Sequence, residues 1–297
     1  MITNHKCLFI LFILILSACA SKTDPDGVIP PDSKEYINNT GSDTMVNLAL
    51  AWAEQYQQVN PQSILSVTGG GSGTGIASLI NKTTDIANAS RKIKSIEIDN
   101  ALSNGIEPIE FVVARDAIAI VVNPNNPIDN LTLQQLSDIY SGKINNWKEI
   151  GGEDRPIVRL SRETNSGTHV YFLEQVLRLG VKEDKTLFST NTLLLPASEV
   201  IGAEIRNNPN AIGYDGLGYV TPDMKVIAVT ASQEEGPEFI YPSAETVNDG
   251  TYPIARDLYM YTAGQPKGSI KEYLEWIHSP EAQLIVTQLG FVPINAP

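Results

Sequence analysis

Three stretches of small, hydroxyl-bearing residues each stand just ahead of an apolar run at helical spacing, and these are where this 297-residue chain could do chemistry. Thr40-Gly41-Ser42-Asp43-Thr44 leads into Met45, Leu48, Ala49, Trp52 and Tyr56. Gly69-Gly70-Gly71-Ser72-Gly73-Thr74-Gly75 precedes a helix expected from about Ile76. Arg162-Glu163-Thr164-Asn165-Ser166-Gly167-Thr168 precedes Val170, Leu173, Val176 and Leu177, and a weaker fourth stretch, Asn88-Ala89-Ser90-Arg91, follows Ile86-Ala87. The first turn of a helix carries unpaired N–H groups and the positive end of the helix dipole. Glycine lets a ligand approach the backbone closely, and hydroxyls add donors. Any one such turn alone is better explained as an N-cap, since Ser, Thr and Asp are the preferred capping residues. Three of them, one flanked by Arg162, point instead to capture of a small oxyanion.

The elements that must position these stretches alternate between strand and helix. Apolar, β-branched runs at Ser63–Thr68, Ala117–Val122, Lys225–Thr230 and Leu258–Thr262 predict strands. Helical spacing recurs in Ile270, Tyr273, Leu274 and Ile277 and again in Leu284, Ile285 and Leu289. Ser279-Pro280 separates these last two helices, with proline at a first helical position. Leu131–Tyr140 predicts a short helix ending at Ser141-Gly142. The pattern is α/β.

Other chemistries are disfavoured by what surrounds these residues. The glycine-rich stretch lacks the lysine of a Walker A loop, and its glycines fail the GxGxxG spacing from every start. No Gly-x-Ser-x-Gly elbow surrounds Ser72 or Ser166, which argues against a secreted hydrolase. The two cysteines, Cys7 and Cys19, and the three histidines, His5, His169 and His278, form no metal-ligand spacing, so no cofactor or metal is expected. A formal charge of −13, or −14 once Lys6 leaves with a leader, disfavours nucleic acid as a partner.

Leu8 to Leu16 is an apolar run of nine residues, short of the about 20 that span a bilayer and suited to the core of a secretory signal. It ends in Leu16-Ser17-Ala18-Cys19, which resembles the bacterial lipobox and makes residues 1–18 a leader with Cys19 lipidated. Ordinary cleavage after a small residue is the alternative. Residues 19–35, polar and rich in Pro and Asp, are expected to be a tether.

Taken together, further stretches make the chain resemble the PstS family of phosphate-binding proteins, solute receptors of phosphate ABC transporters. Besides Gly41–Thr44, Gly69–Gly75 and Arg162–Thr168, they are Asp85–Arg91, Ala114–Ala117, Asn208–Tyr214, Tyr252–Arg256 and Gly290–Pro293, which span nearly everything after residue 36. The resemblance implies a two-lobed periplasmic-binding-protein fold, type II-like, with two hinge crossings. One lobe would comprise residues 36–114 plus 252–297 and the other 115–251. It implies a monomer that binds inorganic phosphate between the lobes, at a bacterial membrane and beside ABC permease subunits, without catalysis. The phosphate contacts it implies are Ser42, Asp43, Thr44, Ser72, Ser90, Arg162, Ser166, Gly167 and Thr168. Arg162 would supply the one full positive charge through a forked pair of hydrogen bonds, so its loss should cost affinity and little stability without ligand.

Two departures from the best-known branch matter. That branch has Thr-Phe where this chain has Asp43-Thr44, and an acidic residue near Ser90-Arg91. Asp43 is therefore expected either to accept the proton that bound phosphate carries or merely to cap the helix at Met45. Arg91 is expected to face the site or to find a structural partner, and His169 to lie on a helix surface. Sulfate, molybdate and a purely sensory role stay open as alternatives.

Overall fold

The computed structural model describes residues 34–232, 234 and 236–294. The proposed leader, Cys19 and the tether as far as Ser33 lie outside the described residues. Glu35, placed in the tether by composition, is instead the first residue of a strand.

In chain order the elements begin with β1 (Glu35–Gly41), α1 (Val46–Val59), β2 (Ser63–Thr68), α2 (Ser72–Ile80), β3 (Ile86–Ala89) and α3 (Ser95–Ser103). The long β4 (Pro108–Val122) follows, then β5 (Asn130–Thr132), α4 (Leu133–Ser141), β6 (Val158–Arg162) and α5 (Gly167–Phe172). The chain continues through β7 (Leu193–Leu195), α6 (Ser198–Asn207), β8 (Ala211–Gly216), β9 (Lys225–Thr230) and α7 (Ala244–Asn248). It closes with β10 (Ala255–Ala263), α8 (Gly268–Ile277) and α9 (Pro280–Gln288). Among the described residues no helix is long and apolar enough to cross a membrane.

The α/β, two-lobed class holds. The sheet runs β2-β1-β3-β10-β4-β8-β6-β7, with β9 pairing both β4 and β5. β1 lies parallel to β2 and β3, whereas β10 is antiparallel to β3 and β4. β4 pairs with β10 over its first ten residues and with β8 and β9 over its last five, so it passes from one half of the sheet to the other. The predicted strand Ala117–Val122 is only the apolar end of β4, because Arg115-Asp116 masked its continuation.

Two hydrophobic clusters pack against the β1–β3 and β10 side. The larger gathers Ile37, Trp52, Tyr56, Met260, Tyr273 and Ile277; the smaller gathers Ile76, Leu79 and Tyr261. Two more cover the other side, one around Ile120, Tyr140, Trp147, Phe172 and Tyr214, one around Leu160, Ile201 and Ile205. The apolar positions that predicted α1 are the ones it buries: Leu48, Ala49, Trp52 and Tyr56. Trp52 Nε1 donates to Ala282 O at 2.9 Å, which ties α1 to the C-terminal α9. At Ser279-Pro280 the predicted cap is present, with Ser279 Oγ accepting from Ala282 N and proline at the start of α9.

Candidate functional site

The four small-residue stretches meet. α2 begins at Ser72 rather than near Ile76, because Gly71, at φ +98°, turns the chain straight from the β2 side into the helix. A side chain at Gly71 would also lie 2.8 Å from Asn165 O, so only glycine allows the approach. Across this contact Gly73 N donates to Asn165 O at 3.0 Å, and Asn165 Nδ2 donates to Gly70 O at 2.8 Å. Thr44 Oγ1 and Thr168 Oγ1 are 2.7 Å apart. Ser90 N donates to Ser72 Oγ at 3.0 Å, with the two hydroxyls 3.3 Å from each other. A Cβ on Gly167 would collide with Ser72 Oγ and lie 2.5 Å from Ser90 Oγ. Residues more than a hundred positions apart thus form one buried cluster of hydroxyls. Ser42 joins it through its N–H, which donates to Asn88 O, while its buried Oγ has no protein partner among the described residues.

Three expected roles change. Arg162, 1% exposed, donates from Nη1 to Ser198 Oγ at 2.8 Å and from Nη2 to Pro196 O at 2.7 Å, and Nη2 also lies 2.9 Å from Asp43 Oδ2. Its fork is therefore engaged by protein, which leaves its charge and one Nη1 N–H for a ligand. Ser166 Oγ accepts from Thr168 N and His169 N as the cap of α5 and keeps its O–H free to donate. Asp43 does not cap its own helix: Oδ2 accepts from Ser198 N at 3.0 Å, and Oδ1 has no hydrogen-bond partner among the described residues.

Two neighbours are engaged elsewhere in the protein. Arg91 meets both Glu97 oxygens, at 2.7 and 2.8 Å, which makes it a structural partner. His169 is buried rather than on a helix surface. Its Nδ1 is 3.0 Å from Ser161 Oγ, its ring stacks on Phe188, and burial lowers its pKa to about 4.

Residues that the sequence did not single out complete the charge balance. Arg256 is a second buried cation; its guanidinium reaches Asp116 Oδ2, Ser90 O and Thr168 Oγ1. Tyr219 Oη donates to Asp43 O, and Ser198 Oγ donates to Asp215 Oδ1. Two arginines thus face three carboxylates, Asp43, Asp116 and Asp215. Burial raises Asp116, against the opposing pull of Arg256. Burial also raises Asp215 to about 6, against Arg162, the Ser198 hydroxyl and the Gly216 N–H, and its Oδ2 is buried without a partner. Protonation of Asp215 therefore relieves a cost, and a site poorer in negative charge accepts an anion more readily.

A carboxyl raised from the ordinary 3.8 to about 6 binds more protons folded than unfolded between those values. Its favourable contribution is full below about pH 4 and is lost as pH rises through about 6, roughly 3 kcal/mol in all. Asp215→Asn lacks this titration. Denaturant midpoints across pH 4–8 should show wild type losing stability relative to Asp215→Asn over that window; a flat difference would refute the assignment.

The chain matches the PBP superfamily domain over residues 28–281. It is 31% identical to the phosphate-binding protein PstS of Pseudomonas aeruginosa over 277 residues, covering 88% of this chain and 83% of that protein. It is also 31% identical to the Bacillus subtilis phosphate-binding protein PstS over 299 residues, covering 96% and 91%. Among solved structures it is similar, at TM-score 0.77 and 30% identity, to a Clostridium perfringens protein described as a phosphate ABC transporter substrate-binding protein and crystallised with phosphate; 88% of this chain and 100% of that one are covered. The helix-start cluster and this similarity agree: the chain belongs to the PstS family of phosphate-binding proteins.

Proposed function

We propose that this protein is an extracytoplasmic lipoprotein that binds inorganic phosphate between two lobes, residues 36–114 with 252–297 and residues 115–251, and hands it to an ABC permease. The observation that carries the reading is the convergence of Thr44, Ser72, Ser90, Gly167 and Thr168, from four separate segments, on one buried locus beside two arginines. A donor-rich, water-poor cradle suits an oxyanion, because desolvated N–H and O–H groups replace its hydration and a nearby guanidinium offsets its charge. The acidic surface is no obstacle when the opposing field acts within a few ångströms.

Binding and closing are one event in this reading. β4 crosses from one lobe to the other and the chain returns just ahead of β10, and bending there lets the Gly70 and Asn165 rims part for entry and meet again around the ion. Asp43 Oδ1, unpaired among the described residues, serves as the acceptor for the proton that phosphate carries and sulfate does not. Titrating the mature protein with phosphate, sulfate and molybdate tests the phosphate reading: heat should appear with phosphate and not with sulfate. Equal affinity for sulfate would overturn it.

Membrane attachment rests on Leu16-Ser17-Ala18-Cys19 alone. Cys19→Ala should leave the protein unprocessed or release it from membranes. Retention of a processed Cys19→Ala protein on membranes after a salt wash would sink the lipid anchor.

A further inference from the structure

Arg256 does more than neutralise a buried carboxylate. It stands opposite Asp116 in the antiparallel pairing of β10 with β4, the strand that passes from one half of the sheet to the other. Asp116 is fully buried and Arg256 is 6% exposed. Nε and Nη2 both donate to Asp116 Oδ2, at 3.2 and 2.8 Å, and Asp116 Oδ1 accepts from Leu217 N at 3.1 Å. An ion pair needed only for stability could end there. Two further donors continue outward: Nη1 to Ser90 O at 3.0 Å and Nη2 to Thr168 Oγ1 at 3.0 Å. The guanidinium also lies over the Tyr171 ring, 5.7 Å from its centroid, which fixes its plane.

The hydrogen count shows what these bonds do. A guanidinium only donates, so Thr168 Oγ1 is held as an acceptor. Thr44 and Thr168 share one hydrogen bond and own two hydroxyl hydrogens, so one hydrogen is left over and directed away from Arg256. Donation from a cation into the same hydroxyl strengthens that remaining donor. On the other side, holding Ser90 O steadies residue Ser90, whose N–H, in the preceding peptide group, donates to Ser72 Oγ. Ser90 and Thr168 belong to segments on opposite sides of the cluster, and one guanidinium grips both only while those segments are together.

We infer that Arg256, anchored on Asp116, is a positioning residue that latches the Ser90 and Thr168 segments together around the bound anion and so sets how slowly the anion leaves. The inference rests on the phosphate reading above. Lysine keeps the charge facing Asp116, but its compact ammonium cannot span Asp116, Ser90 O and Thr168 Oγ1 as the planar fork does.

Stopped-flow kinetics with inorganic phosphate on the mature chain provide the test. Association meets the open form, so Arg256→Lys should leave it within about twofold while release accelerates by at least about tenfold. The melting temperature without phosphate, with the Asp116 pair retained, should stay close to that of wild type. Thr168→Val should also speed release, and the double variant should fall short of the product of the two single effects, because both act on one hydroxyl. If Arg256→Lys does not fold, Arg256→Gln with Asp116→Asn, which removes both buried charges together, is judged by the same rates. Unchanged release in the folded variant overturns the latch, and fully multiplicative effects overturn its route through Thr168. Wild-type protein that binds no phosphate removes the phosphate reading and this inference together; a wild type that binds, with release unaffected in the variant, removes the inference alone.

Discussion

Arg162→Ala should weaken phosphate binding at least about thirtyfold and also lower the stability of the phosphate-free protein. Removing a charge-assisted partner from a desolvated ion costs about 2–5 kcal/mol. The second effect reverses the expectation from sequence, which treated Arg162 as a ligand contact with little bearing on the fold. Arg162 is 1% exposed, lies 2.9 Å from Asp43 Oδ2 and donates to Ser198 Oγ and Pro196 O. Deleting it strands Asp43 and takes from Asp215 the cation that opposes its desolvation. Breaking a buried pair from one side costs about 3–5 kcal/mol. Arg162→Lys should recover part of the stability and little of the affinity, because an ammonium cannot serve Ser198, Pro196 and Asp43 while leaving an N–H for the ion. Calorimetric titration and thermal melting separate the two losses. Wild-type affinity in Arg162→Ala would place Arg162 outside phosphate recognition; wild-type melting would show that its pairing with Asp43 contributes nothing.

How far such behaviour could be foreseen depends on whether it is local in the chain. The Gly/Ser/Thr stretches were legible because helix starts announce themselves through neighbouring residues: Ser166 caps α5 as its type and position suggest. β2 and β9 were legible for the same reason, as runs of apolar and β-branched residues bounded by breakers. Arg256 was not, although the stretch that contains it stood out. Its importance depends on β10 lying antiparallel to β4 in the register that sets Arg256 opposite Asp116, and register across some 140 residues leaves no local mark. The same limit hid the first half of β4, whose charged pair looks like a break until Arg256 is placed beside it. The capping alternative for Asp43 was judged against its own helix, whereas its partners, Ser198 and Arg162, come from across the cluster. His169 was misjudged because α5 is only six residues long and continues as a wider π turn over Leu173–Leu177. A face assigned by 3.6-residue spacing drifts across such a junction, and Phe188, from a distant loop, covers the ring.

Gly167→Ala should reduce phosphate affinity by about ten- to a hundredfold while leaving the phosphate-free protein as stable as wild type or slightly more so. The two effects arise in different states. Gly167 is the first residue of α5, and alanine in a helix is favoured over glycine by about 0.5–1 kcal/mol. With the Ser166–Thr168 segment drawn away from Ser72 and Ser90, the added methyl has room, so only the helical gain is felt. In the closed arrangement the methyl collides with Ser72 Oγ, lies 2.5 Å from Ser90 Oγ and 3.1 Å from Ser72 Cβ. Both serines are fully buried, and the hydroxyls are linked to each other and to Ser90 N, so neither turns aside without breaking that linkage. Overpacking of this kind costs about 1–3 kcal/mol, charged entirely to the closed state. In the proposed function phosphate binds productively only when the two sides meet, and that cost then appears as lost affinity. Small-angle scattering offers a second readout, because saturating phosphate should compact wild type more than Gly167→Ala. If Gly167→Ala binds phosphate as tightly as wild type and compacts equally, Gly167 does not press against Ser72 and Ser90 in the bound state, and the ion must be held by a different meeting of these segments.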